Sequence, residues 1–111
     1  MVNLEHIQGK DWLGELTLTD ENGAPIDLTG CSFRGQARSA YDSTHAAFSY
    51  VFTPKIPLTD GKCDVSLPNN FYTKIISSEA KFVYDWEFVS SGGLVDELQR
   101  GIATVLPEAT K

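Results

Sequence analysis

The chain is short of basic residues, of cysteine and of long apolar runs. Nine Lys and Arg stand against fifteen Asp and Glu, a formal net charge of −6. Such a surface repels phosphate backbones, which argues against a nucleic-acid partner. The acids are scattered rather than blocked, so they form no acidic tail, and solubility is their simplest role. No apolar run approaches the roughly 20 residues of a membrane span, and no membrane partner is expected. Met1 to Lys10 lacks the apolar stretch of a secretory signal, so the expectation is a mature start made in a cytosol. The two cysteines, Cys31 and Cys63, form no CxxC pair, and His6 and His45 lie far from both in sequence. A zinc site is not expected at that spacing. Each cysteine reads as a small buried hydrophobe. A disulfide between them stays open if their strands are neighbours, although a reducing cytosol opposes it.

What is present fits one domain over residues 1–111, with enough apolar residues for a single core. The dominant signal is alternation with a period of two. In Cys31–Arg38, Cys31, Phe33, Gly35 and Ala37 share one face and Ser32, Arg34, Gln36 and Arg38 the other. In Lys81–Ser90, Phe82, Tyr84, Trp86 and Phe88 form an inward row, while Asp85 and Glu87 point away from it. Further strands are expected at Val2–Gln8, Leu13–Thr19, Ala46–Thr53, Lys62–Leu67 and Leu94–Leu106, the last with a bulge at Gly101. Asn22-Gly23, Asp60-Gly61 and Ser91-Gly92-Gly93 supply hairpin turns. Pro54 and Pro57 mark an irregular edge segment. The stretch 69–79 is the one place for a short helical turn, and its β-branched Thr73, Ile75 and Ile76 keep that turn short. Strands at this spacing predict an all-β antiparallel sandwich of about seven strands.

No catalytic constellation assembles from these residues. GxSxG, HExxH and phosphate-loop patterns are absent. His6 falls in an edge strand and His45 in the Tyr41–His45 loop. Asp85 and Glu87 read as solvated surface. The Asp20–Asp27 stretch carries the acids of a calcium loop without its spacing or terminal Glu, and reads as a hairpin. No catalytic, cofactor-binding or metal-binding residue is assigned, and no enzyme is expected. The candidate interaction residues are the outward row Arg34, Gln36 and Arg38, together with Tyr41, Phe71 and Tyr72. The row offers hydrogen-bond donors to a neighbouring subunit. Phe71 and Tyr72 either plug one end of the sandwich or form an exposed patch.

An ordered set of motifs then runs along nearly the whole chain. Gln8-Gly9 precedes Asp11-Trp12, and Asp20-x-x-Gly23 leads to Pro25-Ile26-Asp27-Leu28-Thr29-Gly30. Phe33 to Arg38 and Tyr41-Asp42-Ser43-Thr44 follow, then Val83 to Glu87, Arg100-Gly101 and a closing Val105 to Thr110. The set resembles the small virion structural proteins of tailed bacteriophages, T4-like phages of aquatic bacteria in particular. The Asp-Leu-Thr-Gly portion is also similar to N-terminal domains of phage baseplate and fibre proteins. Cys31 and Trp86 depart from the pattern, where a Tyr or Thr and an aliphatic residue are expected. The resemblance implies an immunoglobulin-like sandwich in the assembled particle, with no enzyme and no cofactor. It implies other virion proteins as partners, met through sheet edges and loops, in a tail, neck or baseplate. Capsid decoration is the nearest variant, and a homo-oligomer on the particle is compatible with it. A host-surface or carbohydrate recognition module is the alternative of a different class.

Overall fold

The computed structural model describes residues 2–40 and 45–108. Alternating apolar side chains put eight strands into its two layers: β1 (Leu4–Ile7), β2 (Trp12–Thr17), β3 (Ser32–Arg38), β4 (Phe48–Ser49), β5 (Val51–Pro54), β6 (Lys62–Leu67), β7 (Ala80–Val89) and β8 (Val95–Leu106). One sheet has the order β1-β8-β7-β3-β4, and the other β2-β6-β5. The second, sixth and fifth strands thus face a sheet built on the eighth, seventh, third and fourth. That is the strand order of an immunoglobulin-like sandwich of the variable type.

Between the layers lies an aromatic core. Phe82, Tyr84, Trp86 and Phe88 on β7 are all buried, as the alternation predicts. The first three meet Tyr50, Val65 and Leu67 from the opposite side of the core. A second cluster of Leu18, Leu28 and Phe88 fills the other end, and half-buried Leu16 and Leu98 pack against both.

Three expectations are corrected. First, the sandwich is not wholly antiparallel. β1 pairs in parallel with β8, from Leu4 opposite Ala103 to Ile7 opposite Leu106. Alternation fixes which face a side chain takes, and it is silent on the neighbouring strand. Second, the run 46–53 is two strands. Phe48–Ser49 pairs with β3, the Tyr50 N–H continues to the Gly35 carbonyl, and Val51–Pro54 pairs with β6. The chain changes sheets at the side of the sandwich, and Phe48, Tyr50 and Phe52 still point inward. Third, residues 69–79 form no helix. The Phe71 N–H bonds the Pro68 carbonyl in a single turn. Beyond it, the Gln8 amide donates to the Tyr72 and Lys74 carbonyls and holds the loop from outside. The helical turn lies instead at Leu58–Asp60, closed by Gly61 at φ 68°.

The bulge also sits elsewhere. The β7–β8 register passes from Trp86 opposite Gln99 to Glu87 opposite Glu97, so Leu98 is the extra residue. Gly101 has a different task. A Cβ there would lie 2.1 Å from the Val2 carbonyl oxygen, where the start of the chain crosses β8. Gly101→Ala should therefore pry β1 from β8, at a cost of about 1–3 kcal/mol. Amide exchange should show it as faster exchange in β1 than in β7; equal acceleration throughout would refute the close-approach account.

The cysteines are both free, Cys31 half-buried before β3 and Cys63 buried on β6 in the other sheet. Burial, reinforced by the Asp64 charge, pushes the Cys63 thiol up to about 11. Since thiolate is the reactive form, native protein should titrate one thiol quickly with a disulfide reagent and the second only in denaturant. Two fast thiols in the native protein would contradict this placement.

Candidate functional site

Register builds the first candidate surface. On the outer face of the five-stranded sheet, β3 aligns with β7 so that Arg34 lies opposite Glu87 and Gln36 opposite Asp85. β8 adds Arg100 beside Asp85 and Glu97 beside Glu87. The predicted row of Arg34, Gln36 and Arg38 is therefore brought together, and it is half of a charged lattice. Arg34 Nε donates to Glu87 Oε1 at 2.6 Å, and Arg38 Nη2 donates to the Gln36 carboxamide oxygen. Together with the Gly35 backbone, Asp85 and Glu87, these residues line a depression of about 360 Å³.

Asp85 is the electrostatically loaded member. Partial burial raises its carboxyl above the ordinary value, and the Glu87 and Glu97 charges push the same way. Arg38 and Arg100 pull against them. The surface is thus compensated in charge and rich in hydrogen-bonding groups, suited to a polar protein face. Each exposed ion pair contributes little by itself. Asp85 and Glu87 were legible only as solvated acids, because their role depends on which strand lies beside β7. The signal that could have found them is the matched alternation of β3 and β7, which puts opposite charges in one row.

The aromatic candidates divide differently. Phe71 and Tyr72 are half-buried and packed against the core, so they close one end of the sandwich. Phe71 stands edge-on to Phe48 at 5.0 Å and to His6 at 5.9 Å. Tyr72 stands edge-on to Phe82 at 5.3 Å. Tyr41 lies outside the described residues. His45 is exposed.

Around Tyr72 the irregular loop makes a second cleft, of about 490 Å³, with Gln8, Asn69, Asn70, Thr73 and Lys74 among its lining residues. Glu108 closes over Gly9, where a Cβ would meet its carboxylate at 2.5 Å. The cleft offers amides, a hydroxyl, one base and one acid beside the Tyr72 ring.

His6 was read as an ordinary edge-strand residue, and it is the buried polar side chain among the described residues. Its Nε2 is 2.8 Å from the Tyr50 hydroxyl, and its Nδ1 has no partner. Trp12, Phe48, Tyr50 and Phe71 surround the ring. Burial lowers its pKa to about 4. The available signal was parity: Leu4 and His6 share a face, and Leu4 points inward.

The acids of the 20–27 stretch cap its turns. Asp20 Oδ1 accepts from the N–H groups of Asn22 and Ala24, and Asp27 Oδ1 from the N–H and hydroxyl of Thr29. Among the described residues, no three His, Cys, Asp or Glu side chains converge as metal ligands do.

No protein-family model matches this chain, and no curated protein is similar to it. Among solved structures, the chain is similar to that of murine CRIg at 9% identity and a TM-score of 0.41, over 96% of this chain and 92% of that one. The immunoglobulin-like assignment stands on the strand order of the two sheets.

Proposed function

We propose that this chain is a non-enzymatic structural component of a bacteriophage virion, docking to tail, neck or baseplate proteins through its sheet edges and loops. The observation that carries the reading is the ordered motif set, whose members among the described residues supply strands and turns of the sandwich. Gln8 pins the loop after β6, Asp20 and Asp27 cap consecutive turns, and Phe33 to Arg38 lies in β3. Val83 to Glu87 lies in β7 beside it. Such a set specifies a small rigid scaffold whose two sheets end in open edges and whose outer face carries a hydrogen-bonding row. A scaffold of that kind works by being held in an assembly. Capsid decoration uses the same features and differs only in the surface that receives the domain.

Mass spectrometry of purified particles, followed by a cryo-electron microscopy map, tests the reading. The expected result is density for this sandwich at a fixed copy number in the tail, neck or baseplate. Density on the capsid shell selects decoration, and absence of the chain from purified particles refutes both.

The cleft beside Tyr72 favours one second reading, recognition of a host-surface carbohydrate. Glycan-array binding that is lost in Asn70→Ala and Thr73→Ala, two exposed loop positions, would support it. Tyr72 itself is a poor test residue because its ring is part of the core packing.

A further inference from the structure

The strands are divided unequally, five in one sheet against three in the other. β4 runs directly into β5, so their edges share a side, and the opposite side carries β1 and β2, joined through Gln8 to Asp11. The four edges are not equally open. β4 is two residues long. β5 has four and ends at Pro54, which has no N–H to offer. β1 also has four, and the Ile7 carbonyl at its end is taken by the Lys10 N–H. β2 has six, without proline.

Its ladder to β6 runs through the even positions, as the continuing bond from the Leu18 N–H to the Gly61 carbonyl shows. The N–H and C=O groups of Leu13, Glu15 and Thr17 therefore point away from the sheet. Natural sheets blunt such edges or use them. Along the same side Leu4, Trp12, Leu16 and Leu98 remain half-buried although they pack on the core from both sheets. β8 also runs on past the start of β1, leaving Val95 to Gln99 without a neighbouring strand there among the described residues. An added strand would find main-chain partners on β2 and an apolar seam beneath it.

The geometry points to a specific occupant: a strand donated by a partner protein, pairing with the outer edge of β2 and alternating apolar with basic side chains. This names the edge used in the docking reading above and rests on that reading for its biological setting. Main-chain bonds supply affinity in such strand addition, and side chains on alternate positions supply choice. The apolar set would cover the seam. The basic set would meet Asp11 and Glu15, which are exposed on the outer side of the three-stranded sheet in a chain of net charge −6. Glu15 already holds Lys55, so an added cation joins an existing ion pair. A second copy of this chain is the poorer occupant, because it sets the same acids against themselves.

The probe is a synthetic peptide, acetyl-Thr-Lys-Val-Lys-Leu-Lys-Val-Thr-amide, at millimolar concentration, with the Glu-for-Lys peptide as control. Amide exchange by NMR should slow about tenfold or more at Leu13, Glu15 and Thr17 with the basic peptide, and not with the acidic one. Leu13→Pro should abolish the effect while leaving the melt nearly unchanged, because Leu13 is 72% exposed and its N–H faces outward. Glu15→Lys keeps the edge and should weaken the basic peptide selectively. No slowing at these three amides overturns the proposal. Equal slowing with both peptides overturns the basic partner. Slowing in concentrated protein alone, with dimer sedimentation, assigns the edge to a second copy and overturns it too. Absence of the chain from phage particles would remove the virion setting and leave the peptide result standing, so the two failures are distinguishable.

Discussion

Trp86→Ala should destabilise the domain by about 3–5 kcal/mol, most of the stability a domain of this size commonly has. Trp86 is 3% exposed at the centre of β7. Its ring meets Tyr50 at 5.3 Å, Tyr84 at 5.7 Å, Phe52 at 5.8 Å and Trp12 at 6.3 Å. These partners come from β2, β5, β7 and the crossing between β4 and β5, so a cavity here loosens both sheets together. Thermal melts should show a drop on the order of 15 °C. A drop of only a few degrees would mean that the surrounding rings collapse into the space. Trp86→Phe should behave quite differently. The indole Nε1 is buried without a partner, a group whose burial costs about 1–3 kcal/mol. Removing it offsets much of the packing lost with the smaller ring, so the net change should stay within about 1 kcal/mol. Urea melts compare the two variants directly.

The same residue explains a glycine. Gly35 stands directly opposite Trp86 on β3. A Cβ at Gly35 would lie 2.5 Å from Trp86 Cδ1 and 2.9 Å from Phe52 Cζ. The large ring and the absent side chain form one packing unit. Trp86 was a departure from the expected aliphatic residue in the motif set, and Gly35 is the space that accommodates it. Gly35→Ala should cost about 1–3 kcal/mol alone and markedly less in a Trp86→Leu background, a coupling that a double-mutant cycle measures.

How much was legible follows from where each signal resides. The inward row of β7 could be read because four rings at period two have one sensible face. The Asn22-Gly23 turn could be read because its determinants are local: Gly23 takes φ 81° and Asp20 caps the turn. The parallel β1 could not, since nothing in Leu4–Ile7 names β8 as its neighbour. The sheet change at Tyr50 could not either, because inward alternation runs unbroken across it. The loop 69–79 looked helical for want of an alternative, and its holder is Gln8, 64 positions from Tyr72. The outward Arg34–Gln36–Arg38 row was visible, whereas its partners Asp85 and Glu87 needed the register of β3 against β7. Local patterns thus gave the layers and most turns, whereas the parallel β1, the sheet change, the loop holder and the charged partners depend on contacts between residues distant in sequence.

The largest pH effect should come from His6. Its pKa falls from 6.5 to about 4 in the folded chain because burial disfavours the imidazolium. The groups that face it are the Tyr50 hydroxyl and the rings of Trp12, Phe48 and Phe71, with no carboxylate among them. The folded chain therefore holds His6 neutral through a range in which the unfolded chain binds a proton. Stability is fully present above about pH 6.5 and is lost as pH falls toward 4, by about 3 kcal/mol in all. Two of the other shifted acids leave this window clear. Glu15, lowered by Lys55, and Asp27, lowered by Thr29, lose their contributions only as pH falls below the ordinary carboxylate range. Asp85, raised by burial, works in the opposite sense and favours the folded chain on acidification. His6→Phe should start lower at pH 7, having lost the bond to Tyr50, yet hold a nearly constant stability from pH 6.5 to 4.5. Urea melts across that range decide it. A wild-type slope that survives in His6→Phe would place the titrating group elsewhere. Because His6 sits on β1, the first element to respond should be that strand. Its amides should exchange faster at pH 5 than those of β7, once the intrinsic pH dependence of exchange is removed. Release of β1 uncovers the edge of β8 beside the open edge of β2, so acidification should widen the same seam that a donated strand would fill.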